Sequence, residues 1–381
     1  MSESAISLRG KRSFTTKLSE LNWFVVLLIT AVASVGFVML YSVAGGSIEP
    51  WALRQMIRFG IGLALMLTVA LTNIRFWMGV AYPGYVVALL LLIAVELTGI
   101  TGMGAQRWID VGVMRLQPSE LMKVTLVLAL ARYYHGITMR EARSIKSLPI
   151  PLLMIGLPTG LVLIQPDLGT AVLLLSGGCA ILFLAGVRLW VFALGGAAIA
   201  AVIPVAWGFL RDYQKSRILT FFNPERDPLG TGYHIIQSKI AFGSGGVYGK
   251  GYMLGTQSQL NFLPEKQTDF IFTMLAEEFG LLGGLGLLGL YFILIAYAVL
   301  ISLTVKSQFG RLLSMGIAFT FFLYVFINTA MVMGLLPVVG VPLPLVSYGG
   351  SAMLTVMIGF GLILSAALHR DAIIPRSGAF G

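Results

Sequence analysis

A chain of 381 residues that is 57% hydrophobic and only 11% charged cannot clothe a water-facing surface, because soluble domains carry about 25% charge. With a mean hydropathy of +0.89, the composition excludes a soluble enzyme and predicts an all-α integral membrane protein, a single polytopic domain over residues 1–381. The net charge of +10 is spread between apolar runs, which suits anionic lipid headgroups or a phosphate-bearing substrate rather than nucleic acid.

Ten apolar runs are long enough to be spans, at 22–42, 53–72, 76–98, 118–134, 148–165, 168–186, 189–210, 281–304, 311–335 and 350–369. The first contains the cleavage-like "AVAS" (Ala31–Ser34), but in the middle of the run from Trp23 to Tyr41. It therefore reads as a retained helix and not a signal peptide. The sixth holds the single cysteine, Cys179, a packing residue with no second thiol for a disulfide or a metal. An even number of spans puts both termini on one side. Placing them in the cytoplasm brings 14 of the 26 basic residues inside, among them Arg9, Lys17, Arg75, Arg140, Lys306 and Arg370. The short outer loops then hold Arg54, Arg58, Arg107 and Arg115. That bias predicts an N-in, C-in topology.

One connection is long. Residues 211–270, between spans seven and eight, form a large extracytoplasmic loop, and loops of this length are usually functional or disordered. Within it "HIIQSKIAF" predicts an amphipathic helix on the outer leaflet. The glycines of "GSGGVYGKG" fail the phosphate-loop pattern, with Ser244 at the first glycine position and Gly251 where Ser or Thr should follow the lysine. That segment reads as a turn-rich surface loop. Further on, "GLLGGLGLLGL" (Gly280–Leu290) reads as a small-residue packing surface.

The stretch "NFLPEKQTDFIFTMLAEEFG" (Asn261–Gly280) gathers four of the chain's 16 acids at the edge of span eight. Asp269 falls at or near the first turn of the predicted helix, where the dipole favours an ionised carboxylate and a general base could stand. The plainer reading is a helix-capping aspartate. Glu277 and Glu278, adjacent in sequence, face different directions. A second constellation is "GAQRWIDVGVMRLQPSELMKV" (Gly104–Val124). Pro118 suits the first turn of a helix, and Glu120 and Lys123 share a face, as a functional intramembrane pair or a structural salt bridge. Arg107 beside Trp108 is an interfacial anchor or a cation for phosphate. Lys239 and Lys250 could meet an anionic lipid head. His234 stands alone, and His135 and His369 fall on the inner side, so no metal site is expected. "GLLPVVGVPLPLVSYGGS" carries three prolines between spans nine and ten; such backbone at a membrane edge is tolerated where it lines a cavity.

Taken in order, "AQRWID…LQPSELMK", "QPDLGTA" (Gln165–Ala171), "GYHIIQSKIAFGSGGVYGKG", "FLPEKQTDFIF…AEEFG" and "PLPLVSYGGS" resemble the SEDS family of bacterial cell-wall proteins, to which RodA and FtsW belong. The resemblance implies a peptidoglycan glycosyltransferase of the cytoplasmic (inner) membrane that polymerises lipid II, with its active site on the extracytoplasmic face and a class B penicillin-binding protein as partner. It implies Asp269 as the catalytic acid, and carries the "RW" element to Arg107 and the "PSE…K" element to Glu120 and Lys123. Gln267 stands where many members have histidine, so no proton relay through that position applies. The expelled lipid pyrophosphate needs cations, for which Arg107, Lys123, Arg217, Lys239 and Lys250 are candidates. No cofactor is obligatory in this reading, although a divalent cation (Mg or Mn) could serve. The short N-terminus favours the RodA, elongation type over the septal FtsW type. The alternatives are a lipid II flippase, which should show inverted repeats and midplane charges, and a scaffold that activates its partner.

Overall fold

The computed structural model describes residues 14–376 apart from 103–104, 111, 113–114, 210–214, 216–218, 222, 224–230, 261–262 and 264. After a short α1 (Phe14–Ser19) come α2 (Trp23–Val43), α3 (Ala52–Leu71) and α4 (Ile74–Thr98). An antiparallel sheet follows, in the order β1 (Ile100–Gly102), β2 (Ala105–Asp110), β3 (Arg115–Leu116). Beyond it are α5 (Pro118–Gly136), α6 (Met139–Ala142), α7 (Pro149–Ile164), α8 (Leu168–Leu184) and α9 (Leu189–Phe209). The described part of the long loop holds α10 (Thr231–Ser244) and α11 (Thr256–Gln259), and the chain closes with α12 (Ile271–Thr304), α13 (Gln308–Val332) and α14 (Gly350–Leu368).

Each of the ten apolar runs has a helix in this set. Among the described residues, seven helices are long and apolar enough to cross a membrane: α2, α3, α4, α7, α12, α13 and α14. Their inward faces merge into one apolar core that runs from α2 to α14, with Ile29, Met66, Tyr291, Phe309 and Met357 enclosed. Their outward faces leave Leu27, Leu97 and Phe292 65–78% exposed, a surface that only lipid would cover without cost. Pro118 opens α5 as expected, its missing N–H being one that a helix start leaves unpaired anyway.

The helix that follows Asp269 is broken. Gly280 adopts φ 65°, ψ −160° inside α12, dividing it into 271–279 and 281–304. The second piece starts where span eight was expected; the first is almost wholly buried. A break in a helix strands backbone groups that must find partners. The glycine loop supplies them: Leu281 N and Leu282 N donate to Gly246 O (2.9 Å) and Val247 O (3.2 Å), while Lys250 N and Gly251 N donate to Glu277 O and Glu278 O (3.0 Å each). "GSGGVYGKG" is thus not a surface loop but a plug in the break. Its glycines permit backbone to lie on backbone; a Cβ on Gly249 would sit 2.1 Å from Glu278 O.

Two further expectations are corrected. The helix α10 does not lie on the leaflet alone: Ser238 and Ala241 are buried, and Ser238 Oγ lies 2.9 Å from Thr273 Oγ1 and donates to Val332 O at 2.7 Å. The small-residue stripe is not a continuous packing face either, since the Cα atoms of Gly286 and Gly289 look onto open space.

A Cβ on Gly280 would lie 2.3 Å from Gly249 N and 2.6 Å from Val247 O, at a φ that L-residues rarely adopt. Gly280→Ala should cost at least about 2 kcal/mol through strain and clash together, read as a lowered melting temperature of the purified protein in detergent. An unchanged melting temperature would contradict the plugged break.

Candidate active site

Residues Glu265–Phe270 make a turn ahead of α12, closed by Thr268 N donating to Glu265 O (3.0 Å) and Thr268 Oγ1 donating to Glu265 Oε2 (2.8 Å). The helix cap is Phe270, with no side-chain bond, so Asp269 is not the capping residue. Its side chain remains half-buried. Three successive carbonyls of this turn are held from outside. Gln267 O accepts from Tyr348 N (2.8 Å), Thr268 O from Ser347 Oγ (2.6 Å) and Asp269 O from Asn328 Nδ2 (2.9 Å). Ser347 Oγ in turn accepts from Leu343 N (2.8 Å), and Asn328 Nδ2 also donates to Val341 O (2.7 Å). Gly340, at φ 71°, lies under the carboxylate, where a Cβ would be 3.5 Å from Asp269 Oδ2. Lys266 shares the turn, and partial burial lowers its ammonium below the ordinary lysine range.

The other acids of the stretch are committed to structure. Glu277 Oε1 accepts from Lys250 Nζ (2.7 Å), Thr256 Oγ1 (3.0 Å) and Gln257 N (3.2 Å). Glu278 accepts from Ser42 Oγ (2.5 Å) and Met253 N (3.2 Å). The two adjacent carboxylates do face different partners. Lys250 ties the glycine loop to α12, so its charge is already spent.

Arg107, on β2, reaches the junction of α7 and α8. Its guanidinium donates to Pro166 O and to Gln165 O (3.5 Å), and Nε lies 3.7 Å from Asp167 Oδ2. Asp167 caps α8 through Thr170 N (3.2 Å) and accepts from Thr170 Oγ1 (2.9 Å) and Gln117 Nε2 (3.3 Å). This cluster adjoins the Asp269 turn through one strip of backbone: a Cβ on Gly169 would lie 2.7 Å from Val339 O, one residue before Gly340. The fold therefore brings an arginine and a carboxylate to opposite ends of the segment Val339–Val341.

Glu120 and Lys123 form the expected pair (2.7 Å), both nearly inaccessible. Tyr324 completes it, its hydroxyl donating to Glu120 Oε2 (2.7 Å) and accepting from Lys123 Nζ. The adjoining cavity, lined by Lys123, Thr320, Tyr324 and Thr355, measures about 30 Å³, room for roughly one water and none for a pyrophosphate. The pair locks α5 to α13. Lys239 lies exposed on α10 with its alkyl chain over Gly334, and Arg217 lies outside the described residues. No group of three or more His, Cys, Asp or Glu side chains converges among the described residues, so they do not fit a resident metal ion.

Sequence reasoning missed Ser347, Asn328 and the capping role of Asp167. The "PLPLVSYGGS" and "QPDLGTA" strings were visible, but nothing local says which turn a serine or asparagine will reach.

A polytopic helical bundle with one half-buried aspartate on a pinned turn, and an arginine across a short backbone strip, defines a membrane-embedded group-transfer protein. The cell cycle protein family of FtsW, RodA and SpoVE matches residues 20–372, and the chain belongs to that family. The peptidoglycan glycosyltransferase MrdB of Escherichia coli is 44% identical, over 96% of this chain and 98% of its own. A chain from a peptidoglycan synthase complex, studied for its structural coordination of polymerization and crosslinking, superposes with a TM-score of 0.80 at 36% identity, covering 92% of this chain and 98% of that one. The rod shape determining protein RodA of Thermus thermophilus superposes at 0.71 with 30% identity, covering 93% and 98%.

Removing one partner of a buried ion pair strands the other, at about 3–5 kcal/mol. Lys123→Met alone should therefore lower the melting temperature sharply. Adding Glu120→Gln, which keeps an acceptor for Tyr324, should recover most of the loss. A double variant no more stable than the single one would show that the pair is not a structural lock.

Proposed function

We infer that the chain is a peptidoglycan glycosyltransferase that polymerises lipid II, with Asp269 as general base. The observation that carries this reading is the contrast among the acids of one stretch. Glu277 and Glu278 are buried and saturated with donors, whereas the Asp269 carboxylate is half-buried on a turn whose backbone is bonded at three carbonyls. A group held so firmly and kept partly open is poised for chemistry rather than for packing.

In the proposed step the acceptor sugar's 4-hydroxyl gives its proton to Asp269 as its oxygen attacks the anomeric carbon of the donor sugar. The bond from that carbon to the lipid pyrophosphate breaks, and the electron pair leaves with the phosphate oxygen. Configuration inverts, because base and leaving group stand on opposite faces, as in inverting glycoside chemistry with a sugar in place of water. Arg107 is the cation placed to receive the departing pyrophosphate. Its charge is only partly offset by Asp167 at 3.7 Å, and the side chain is about a quarter exposed. Lys123 and Lys250 leave the list of phosphate ligands, because their ammonium groups are committed to Glu120 and Glu277. Lys239 and Arg217 stay on it. A divalent ion could accompany the pyrophosphate, held by its oxygens.

The ten-helix, N-in, C-in arrangement in the inner membrane is supported by the clustering of basic residues at one end of the bundle. There Lys306 pairs with Asp371 (2.7 Å), Arg75 donates to Ile373 O (3.1 Å) and Lys17 donates to Leu71 O (3.3 Å). The Asp269 end would then face outward, where lipid II sugars are presented. A class B penicillin-binding protein is the partner that the synthase-complex relative suggests, and the similarity to MrdB favours an elongation role over a septal one. The flippase alternative loses its main support, since the one intramembrane ion pair is closed on itself with Tyr324.

Asp269→Asn should lower polymerisation of purified lipid II at least about 100-fold, the usual range for a lost general base, with the melting temperature unchanged. Full activity in that variant, supplied with lipid II on the outer face of vesicles, would refute the assignment.

A further inference from the structure

A cavity of about 510 Å³ opens beside the catalytic turn, within the range of about 300–1,000 Å³ typical of small-ligand sites. Its walls come from four places: the end of α2 (Ser42–Gly45), Trp51 at the start of α3, Met253 and Gln259 of the outer loop, and Lys266 and Glu278 on either side of Asp269. Glu278 is only 1% exposed, and each of its oxygens takes one protein donor, which leaves acceptor capacity for a ligand. Gln259 Nε2 donates to Met253 O (2.5 Å), leaving the amide oxygen to accept. With one carboxylate and one ammonium on its walls, the cavity discourages a phosphate, which would meet Glu278. A neutral ligand rich in hydroxyl and amide N–H donors suits those acceptors, and the Trp51 indole offers an apolar face to the C–H side of a sugar ring.

Position narrows the role. Lys266 lies three residues before Asp269 in one turn, so a ligand in this cavity abuts the base directly. Arg107, the cation for the leaving group, is reached on the other side through Gly340 and Gly169. We propose that the cavity is the acceptor subsite, seating the N-acetylated sugar pair whose 4-hydroxyl Asp269 deprotonates. This deepens the polymerase reading and rests on it. The sugar pair can belong to lipid II or to the growing strand, which share this chemistry.

The test uses the full chain in nanodiscs with N,N′-diacetylchitobiose as a soluble probe, observed by saturation-transfer NMR on the Asp269→Asn background so that no turnover intervenes. The probe should give a signal that falls about fivefold or more with Trp51→Leu, as truncating an aromatic anchor does, and falls also with Gln259→Ala, an exposed position whose substitution leaves the fold intact. With Asp269 restored, Trp51→Leu should shorten the glycan strands. If the rate of the first coupling falls too, the acceptor is lipid II; if only length falls, it is the strand. A probe signal indifferent to both substitutions overturns the subsite, while polymerisation by the unsubstituted chain in the same experiment keeps the polymerase reading standing. An unsubstituted chain that makes no glycan overturns both.

Discussion

Three hydrogen bonds hold the turn that presents Asp269, and each comes from a part of the chain distant in sequence. Tyr348 N, Ser347 Oγ and Asn328 Nδ2 engage the carbonyls of residues 267, 268 and 269 in succession. Because this turn precedes the helix, its carbonyls would otherwise have to find water or remain unpaired. The donors come from the loop between α13 and α14 and from α13 itself, so the position of the carboxylate is set by the packing of the last helices. The same loop carries Gly340, whose missing side chain leaves space beside Asp269 Oδ2. Scaffold and reacting group are thereby one construction, as a base that must meet a hydroxyl within a few tenths of an ångström requires.

The break at Gly280 serves the same end. A continuous 34-residue helix would carry Asp269 about 50 Å from its far end, well clear of a bilayer core about 30 Å thick. Breaking the helix lets the first piece sink among its neighbours while the second piece alone has the length of a span. The stranded backbone groups are then met by the glycine loop, and Glu277 and Glu278 secure that loop through Lys250, Thr256 and Met253. Scarce acids thus gather at one membrane edge for two reasons, one for chemistry and two for holding the plug that keeps the chemistry in place.

Much of this was legible in the sequence because it depends on local properties. Apolar runs reveal helices, Pro118 marks a helix start, and the three-residue spacing of Glu120 and Lys123 puts them on one face. Asp269 stood out as an acid beside an apolar run. What the sequence hid were relations between segments far apart. Ser347 reaches a carbonyl 79 residues away and Asn328 one 59 residues away, and a serine or asparagine looks the same whether it faces water or a buried turn. The glycine loop misled for a related reason. Glycines mark surface turns and close backbone contacts alike, and only the partner strand tells the two apart. The three-stranded sheet that carries Arg107 left no cue either, since β1 and β3 are three and two residues long.

The central claim is that the bonded turn fixes the base for proton transfer, and Ser347→Ala tests it most directly. The variant removes the donor to Thr268 O without adding bulk or charge. Steady-state polymerisation of lipid II should show kcat reduced on the order of 10- to 100-fold, the scale of a misplacement of about 1 Å, with KM little changed and stability lowered by only about 1–2 kcal/mol. A kcat equal to that of the unsubstituted chain would contradict the account.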